Sequence, residues 1–189
     1  MRRLVVFNQL SVDGYFVDAH GDMSWAKDGA DDELNRFTAE RAQTGGVLLF
    51  GRVTYEMMES FWPTPEAVRM LPRVAEQMNK LPKVVFSRKM KEARWNNTTV
   101  AADLEGTIRR MKAQPGPGMA IMGSGKIVSQ LAGTGLIDAY ELIINPVALG
   151  AGRTIFTDVR ERVRLRLTES RTFKNGKAYL CYAPVASGP

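Results

Sequence analysis

The chain has 189 residues, 44% of them hydrophobic and 24% charged, and 26 Lys and Arg against 20 Asp and Glu give a formal charge of +6. That balance predicts one globular domain over residues 1–189 with a full-sized core, and no apolar run approaches the roughly 18–20 residues of a membrane span. Cys181 is the only cysteine and His20 the only histidine; a disulfide within the chain is therefore excluded, zinc and His-based hydrolytic chemistry lack their ligands and bases, and a reducing cytoplasm is the expected compartment.

Met1-Arg2-Arg3 runs directly into "LVVFNQLSVDG", which reads as a first strand over Leu4–Leu10 rather than a signal peptide. "DDELNRFTAERAQ" opens with acids and stops at Gly45-Gly46, a helix with matching start and stop signals. Further strands are predicted at Gly46–Phe50, Lys83–Phe86, Thr98–Ala101, Met119–Met122, Ala139–Ile144, Val163–Glu169 and Ala178–Ala183. Helical patterns lie between most of the early ones. Asp103 is placed to cap a helix whose apolar face is Leu104, Ile108 and Met111, and Ile127, Val128 and Leu131 give another short helix. The last third turns to strand after strand, with Asn175-Gly176 marking a hairpin. Alternating strands and helices imply parallel pairing, and the C-terminal hairpin adds antiparallel strands. The expected fold is α/β: a twisted, mostly parallel sheet with an antiparallel C-terminal hairpin and helices on both faces.

The sharpest basic feature is "RERVRLRL". Its period of two puts Arg160, Arg162, Arg164 and Arg166 on one strand face, with Val163, Leu165 and Leu167 facing inward. No aromatic side chain is interleaved with these arginines, as a nucleic-acid surface would require, so a solvated strand face is expected and nucleic acid is not the expected partner.

Twice a buried strand runs into glycine and a helix start: Gly51-Arg52-Val53-Thr54 and Gly123-Ser124-Gly125-Lys126. Free N–H groups at a helix start suit a phosphate, and glycine lets backbone approach a ligand. Either glycine alone could simply make the turn. Two such turns, each with a cation, suit a ligand carrying several phosphates, such as a dinucleotide, which would also supply the reactive atom this side-chain set lacks. The second turn is neither a Walker A loop, because Ile127 stands where Ser or Thr is required, nor a G-x-G-x-x-G fingerprint, because Val128 takes the third glycine position. A third cluster, Ser87, Arg88 and Lys89, ends the "KVVF" strand. Read functionally it suits a ribose 2′-phosphate and hence NADPH over NADH; read blandly it is a solubilising loop.

The ordered set "SVDGYF", "LLFGRVTYE", "KVVFSRK", "IMGSGKIVSQL" and "NPVALGAGRTIF" resembles the dihydrofolate-reductase-like superfamily, above all the reductase domain of riboflavin biosynthesis and its stand-alone bacterial relatives. The resemblance covers nearly the whole chain. It implies NADPH lying across the strand ends, with Gly51, Arg52 and Thr54 at its phosphates and Ser87 and Arg88 at the 2′-phosphate. Gly123, Ser124, Gly125, Lys126 and the adjoining Ile127 would support the pyrophosphate and nicotinamide side. Asp13 and Gly14 would border the nicotinamide, with Asp13 a candidate for proton handling. Asn8, Trp25, Leu149 and Gly150 would line the substrate cleft. By the same resemblance Trp25 and the acids Asp31, Asp32 and Glu33 stand where dihydrofolate reductases carry a tryptophan and a catalytic acid. Glu33 is the nearest match, although acids there also complement a helix dipole.

The activity so implied is an NADPH-dependent reductase acting on a small heterocycle, by likeness the ribosylaminopyrimidine intermediate of riboflavin synthesis. A phosphorylated substrate would suit the basic surface. A pterin reductase is the alternative within enzymes, and a non-catalytic nucleotide or nucleic-acid binding module the alternative outside them. The resemblance also implies a homodimer joined near the last strands. No metal site and no membrane association is expected.

Overall fold

A computed structural model describes residues 1–29, 32–42 and 46–185. Asp31 and Gly45, which figure in the expected first helix, lie outside the described residues. The strands are β1 (Leu4–Ser11), β2 (Tyr15–Asp18), β3 (Gly46–Gly51), β4 (Lys83–Phe86), β5 (Thr98–Ala101), β6 (Gly118–Met122), β7 (Ala139–Asn145), β8 (Gly152–Thr154), β9 (Leu165–Thr172) and β10 (Ala178–Pro184). The helices are α1 (Asp32–Ala42), α2 (Arg52–Phe61), α3 (Pro65–Met70), α4 (Pro72–Lys80), α5 (Leu104–Ala113) and α6 (Gly125–Leu131), with a 3₁₀ turn at Ser24–Lys27.

Eight strands form one sheet in the order β5-β4-β3-β6-β1-β7-β10-β9. The first six in that order run parallel, and β10 is antiparallel to both β7 and β9. Central strands are covered on both faces and are accordingly near-continuous apolar runs; in β3 the four residues Val47 to Phe50 are all buried. One core joins β1, β3 and β6 to Ile108 of α5 and to Ile127, Val128 and Leu131 of α6. On the opposite face Leu34 and Phe37 of α1 pack on β7 and β10, and Tyr55 and Met78 of α2 and α4 pack on β3 and β4. The mostly parallel sheet, its antiparallel C-terminal strands and its two helical layers match the expected fold. No helix among the described residues is long and apolar enough to cross a membrane.

Two details differ from the sequence reading. β2 and β8 were not foreseen: four and three residues long, they form a separate antiparallel ribbon too short to carry a period. The arginine row is not one strand face, because β9 starts only at Leu165, so Arg160, Arg162 and Arg164 precede it. Leu167 is 48% exposed instead of facing inward, since β9 is the last strand of the sheet.

Lys83 is a charged residue that the strand pattern hides. It opens β4 yet is only 1% exposed. Its ammonium donates to the carbonyls of Asn79 (3.2 Å), Leu81 (2.7 Å) and Asn96 (3.1 Å) and lies 4.5 Å from the centre of the Trp95 ring. Asn79 sits in the last turn of α4 and Leu81 just beyond it, so the cation closes that helix C-terminus, where carbonyls and dipole both favour positive charge.

Candidate functional site

Parallel strands deliver their C-terminal ends to one edge of the sheet, where α/β folds bind ligands. The segments after β1, β3, β4, β6 and β7 therefore gather there, and with them most of the residues singled out in the sequence.

The two glycine turns meet directly. The Ser124 hydroxyl accepts the Gly51 N–H at 2.8 Å and donates to the Met122 carbonyl at 3.1 Å. Gly123 and Ser124 both have left-handed backbone, with φ of 62° and 59°. A Cβ on Gly123 would stand 3.0 Å from Thr54 Cγ2, which places Thr54 beside the second turn. Asn8 is 3% exposed and its side-chain amide donates to the Gly123 carbonyl at 3.4 Å. Neither α2 nor α6 has a side-chain cap or an acid in its first turn, a trait shared with α4, whereas α1, α3 and α5 carry an acid there. Arg52 and the exposed Lys126 instead put a cation in each of those turns. Arg52 is held by both oxygens of Glu56, at 2.9 and 2.7 Å. An exposed pair of that kind contributes little and leaves the guanidinium available for exchange onto an anion. At the end of β4, the Ser87 hydroxyl accepts the N–H groups of Lys89 (3.1 Å) and Met90 (2.9 Å), fixing a tight turn on which Arg88 and Lys89 are exposed.

Two residues assigned to the cofactor serve the fold. Ile127 is 4% exposed within the core, and its N–H is bonded to the Ser124 carbonyl at 2.9 Å. Gly125 makes room for a side chain: a Cβ there would lie 2.8 Å from Phe16 Cε1 and 3.2 Å from the Thr154 carbonyl. The β2–β8 ribbon is thus seated on the start of α6 through Phe16, a contact that no pattern in "SVDGYF" announced.

Both carboxylates proposed for catalysis already have partners within the protein. Asp13 accepts the N–H groups of Leu149 (3.0 Å) and Gly150 (2.8 Å). Hydrogen bonds from the Ser11 hydroxyl and the Gly150 N–H hold its carboxyl below the usual carboxylate range, which is the wrong direction for a proton donor near neutrality. Glu33 is paired with Arg171 of β9 at 2.5 Å. β9 lies four strands from β6 in the sheet order, so this pair sits toward the antiparallel edge. Phe37, one turn further along α1, is flanked by the guanidinium groups of Arg171 and Arg41 at 5.2 and 4.9 Å, so this helix is fastened to the antiparallel edge by charge and aromatic contact. Trp25 is half-buried in its 3₁₀ turn, where its indole N–H donates to the Asp22 carbonyl at 3.2 Å. Leu149 and Gly150 follow β7 at the strand-end edge.

Sheet order, crossovers and the joined turns define an α/β domain of the dihydrofolate-reductase-like class. The RibD C-terminal domain family matches residues 2–179. The chain belongs to that family. It is 24% identical over 185 residues to the uncharacterized protein YyaP of Bacillus subtilis (strain 168), covering 96% of this chain and 94% of that one. Among solved structures, a candidate riboflavin biosynthesis protein of Shewanella sp. PV-4 superposes with a TM-score of 0.73 at 21% identity, covering 97% of this chain and 99% of that one. A Thermotoga maritima diaminohydroxyphosphoribosylaminopyrimidine deaminase/5-amino-6-(5-phosphoribosylamino)uracil reductase gives 0.67 at 16% identity, covering 97% of this chain and 57% of that one. At these identities the two structures establish the fold.

Proposed function

We propose that this protein is an NADPH-dependent reductase of a small heterocyclic substrate, with a ribosylaminopyrimidine of the kind named for the Thermotoga relative as the leading candidate. The observation that carries the reading is the junction of two uncapped, acid-free helix starts through Gly51 and Ser124. Their donors suit a diphosphate, with Arg52, Thr54 and Lys126 around it. Arg88, beside the Ser87 turn, suits a 2′-phosphate. Bound NADPH would supply a hydride. The residues of the chain would orient that nucleotide and shape the cleft between Asn8, Trp25 and the 149–150 rim. Glu33, the acid of the pterin-reductase alternative, is paired with Arg171 on the antiparallel edge, which favours the first reading.

The test is a fluorescence titration of wild type and Arg88→Ala with NADPH and with NADH. Wild type is expected to bind NADPH at least about tenfold more tightly, and the variant to lose most of that preference because one charge-assisted contact disappears. Equal affinity of the wild type for both nucleotides removes the role given to Arg88.

We further propose a homodimer through the antiparallel edge, where β9 is exposed from Arg166 onward and Leu167 and Val185 are 48% and 45% exposed. Light scattering should report twice the 21.0 kDa chain mass. A Leu167→Glu variant should run as a monomer, and a monomeric wild type at micromolar concentration rejects the proposal.

A further inference from the structure

The stretch 146–151 between β7 and β8 carries no regular structure and forms one rim of the strand-end edge. Its inner end is well held: the Val12 N–H donates to the Val147 carbonyl at 2.9 Å, and the buried Asn145 side chain donates to the Leu10 carbonyl at 3.1 Å. Its outer end is held by a side chain from the β1–β2 turn. Asp13 reaches from the β1–β2 turn, 136 and 137 residues away in sequence, and receives the N–H groups of Leu149 and Gly150 on its carboxylate. Gly150 has φ of 72°, and its N–H donates to the same Asp13 Oδ2 as its neighbour's. The β1–β2 turn is itself fixed, by the Gly14 N–H on the Ser11 carbonyl at 3.0 Å and by the Tyr15 N–H on the Ser11 hydroxyl at 2.9 Å. Beyond it, Phe16 is wedged over Gly125 at the start of α6. A continuous set of contacts therefore runs from the Gly123–Lys126 turn through the ribbon to Asp13 and the 149–150 rim.

We propose that Asp13 is a positioning residue, a carboxylate clasp that fastens the 149–150 rim to the ribbon and so, through Phe16, steadies the Gly123–Lys126 turn at the nucleotide site, and carries no proton in the reaction. This rests on the nucleotide reading above. An oxygen acceptor is what the clasp needs, so Asp13→Asn, which keeps one, should preserve much of it, whereas Asp13→Ala should release it.

Hydrogen exchange of the free protein reads the clasp itself. In Asp13→Ala the amides of Leu149 and Gly150 should exchange at least about tenfold faster than in wild type, in Asp13→Asn no more than about threefold faster, and in both variants the β6 amides should be unchanged. NADPH fluorescence titration reads the positioning: affinity should fall at least about threefold in Asp13→Ala and return to within about twofold of wild type in Asp13→Asn. Unchanged exchange in Asp13→Ala overturns the clasp. Unchanged NADPH affinity in Asp13→Ala overturns its positioning role, as does a loss in Asp13→Asn equal to that in Asp13→Ala. NADPH failing to bind wild type rejects the nucleotide reading instead, and the exchange ratios then decide the clasp alone.

Discussion

Lys83→Met should lower the thermal midpoint by roughly 6–12 °C, corresponding to about 3 kcal/mol in a chain of this length. Methionine fills similar space but donates nothing, leaving the carbonyls of Asn79, Leu81 and Asn96 without the ammonium that joins them and removing the cation from the Trp95 face. Those carbonyls belong to the end of α4 and to the segment before β5, so the outer parallel strands should loosen first. Burial pushes the Lys83 ammonium down to about 8 from its ordinary value of 10.5. Between those two pH values the unfolded chain retains a proton that the folded chain has released, so stability rises with pH there. The gap between wild type and Lys83→Met should accordingly widen from pH 8 to pH 10.5. Urea unfolding at pH 7, 9 and 10.5 measures it. A gap that stays flat would mean that the three carbonyls and the indole offset burial and keep the amine charged.

Gly125→Val should disable the candidate site without unfolding the protein. The added carbons overlap the Phe16 ring, 2.8 Å from the first of them, with the Thr154 carbonyl at 3.2 Å closing the other side. Phe16 must leave its seat and carry the β2–β8 ribbon with it. Overpacking of this kind costs about 1–3 kcal/mol, a moderate loss for the fold. The larger consequence is at the α6 start, and NADPH affinity should fall by at least about tenfold. Phe16→Ala in the same chain removes the obstacle and should recover part of the binding. If the single variant binds NADPH as wild type does, the ribbon and the α6 turn are not coupled. If the double variant binds no better than the single one, the obstacle is the Thr154 carbonyl and not the ring.

The cores on the two sheet faces explain why so much of the architecture could be read directly. Val47 to Phe50 form a short apolar run because both faces of β3 are covered, and Leu104, Ile108 and Met111 in α5 and Ile127, Val128 and Leu131 in α6 recur at helical spacing because one face of each helix packs on the core. Asp103 accepts the Gly106 N–H at 3.0 Å and caps α5, and Gly176, with φ of 82°, turns the hairpin. Both act within a few residues of themselves, so local chemistry suffices to find them. The two glycine turns were visible for the same reason.

The division falls between periodic burial and the use of individual polar groups. Burial repeats with the helix or strand period, and from it the chain alone determined an α/β domain, the extent of most strands, and the glycine turns that gather at one sheet edge. Tertiary structure decided which partner each polar atom or glycine has: Ser124 with Gly51, Asp13 with the 149–150 rim, Glu33 with Arg171, Gly125 with Phe16, Lys83 with three carbonyls. Each joins segments far apart in the sequence or turns on one unrepeated side-chain direction. No spacing rule encodes such a contact, and only the folded backbone brings its two halves within hydrogen-bonding or van der Waals reach.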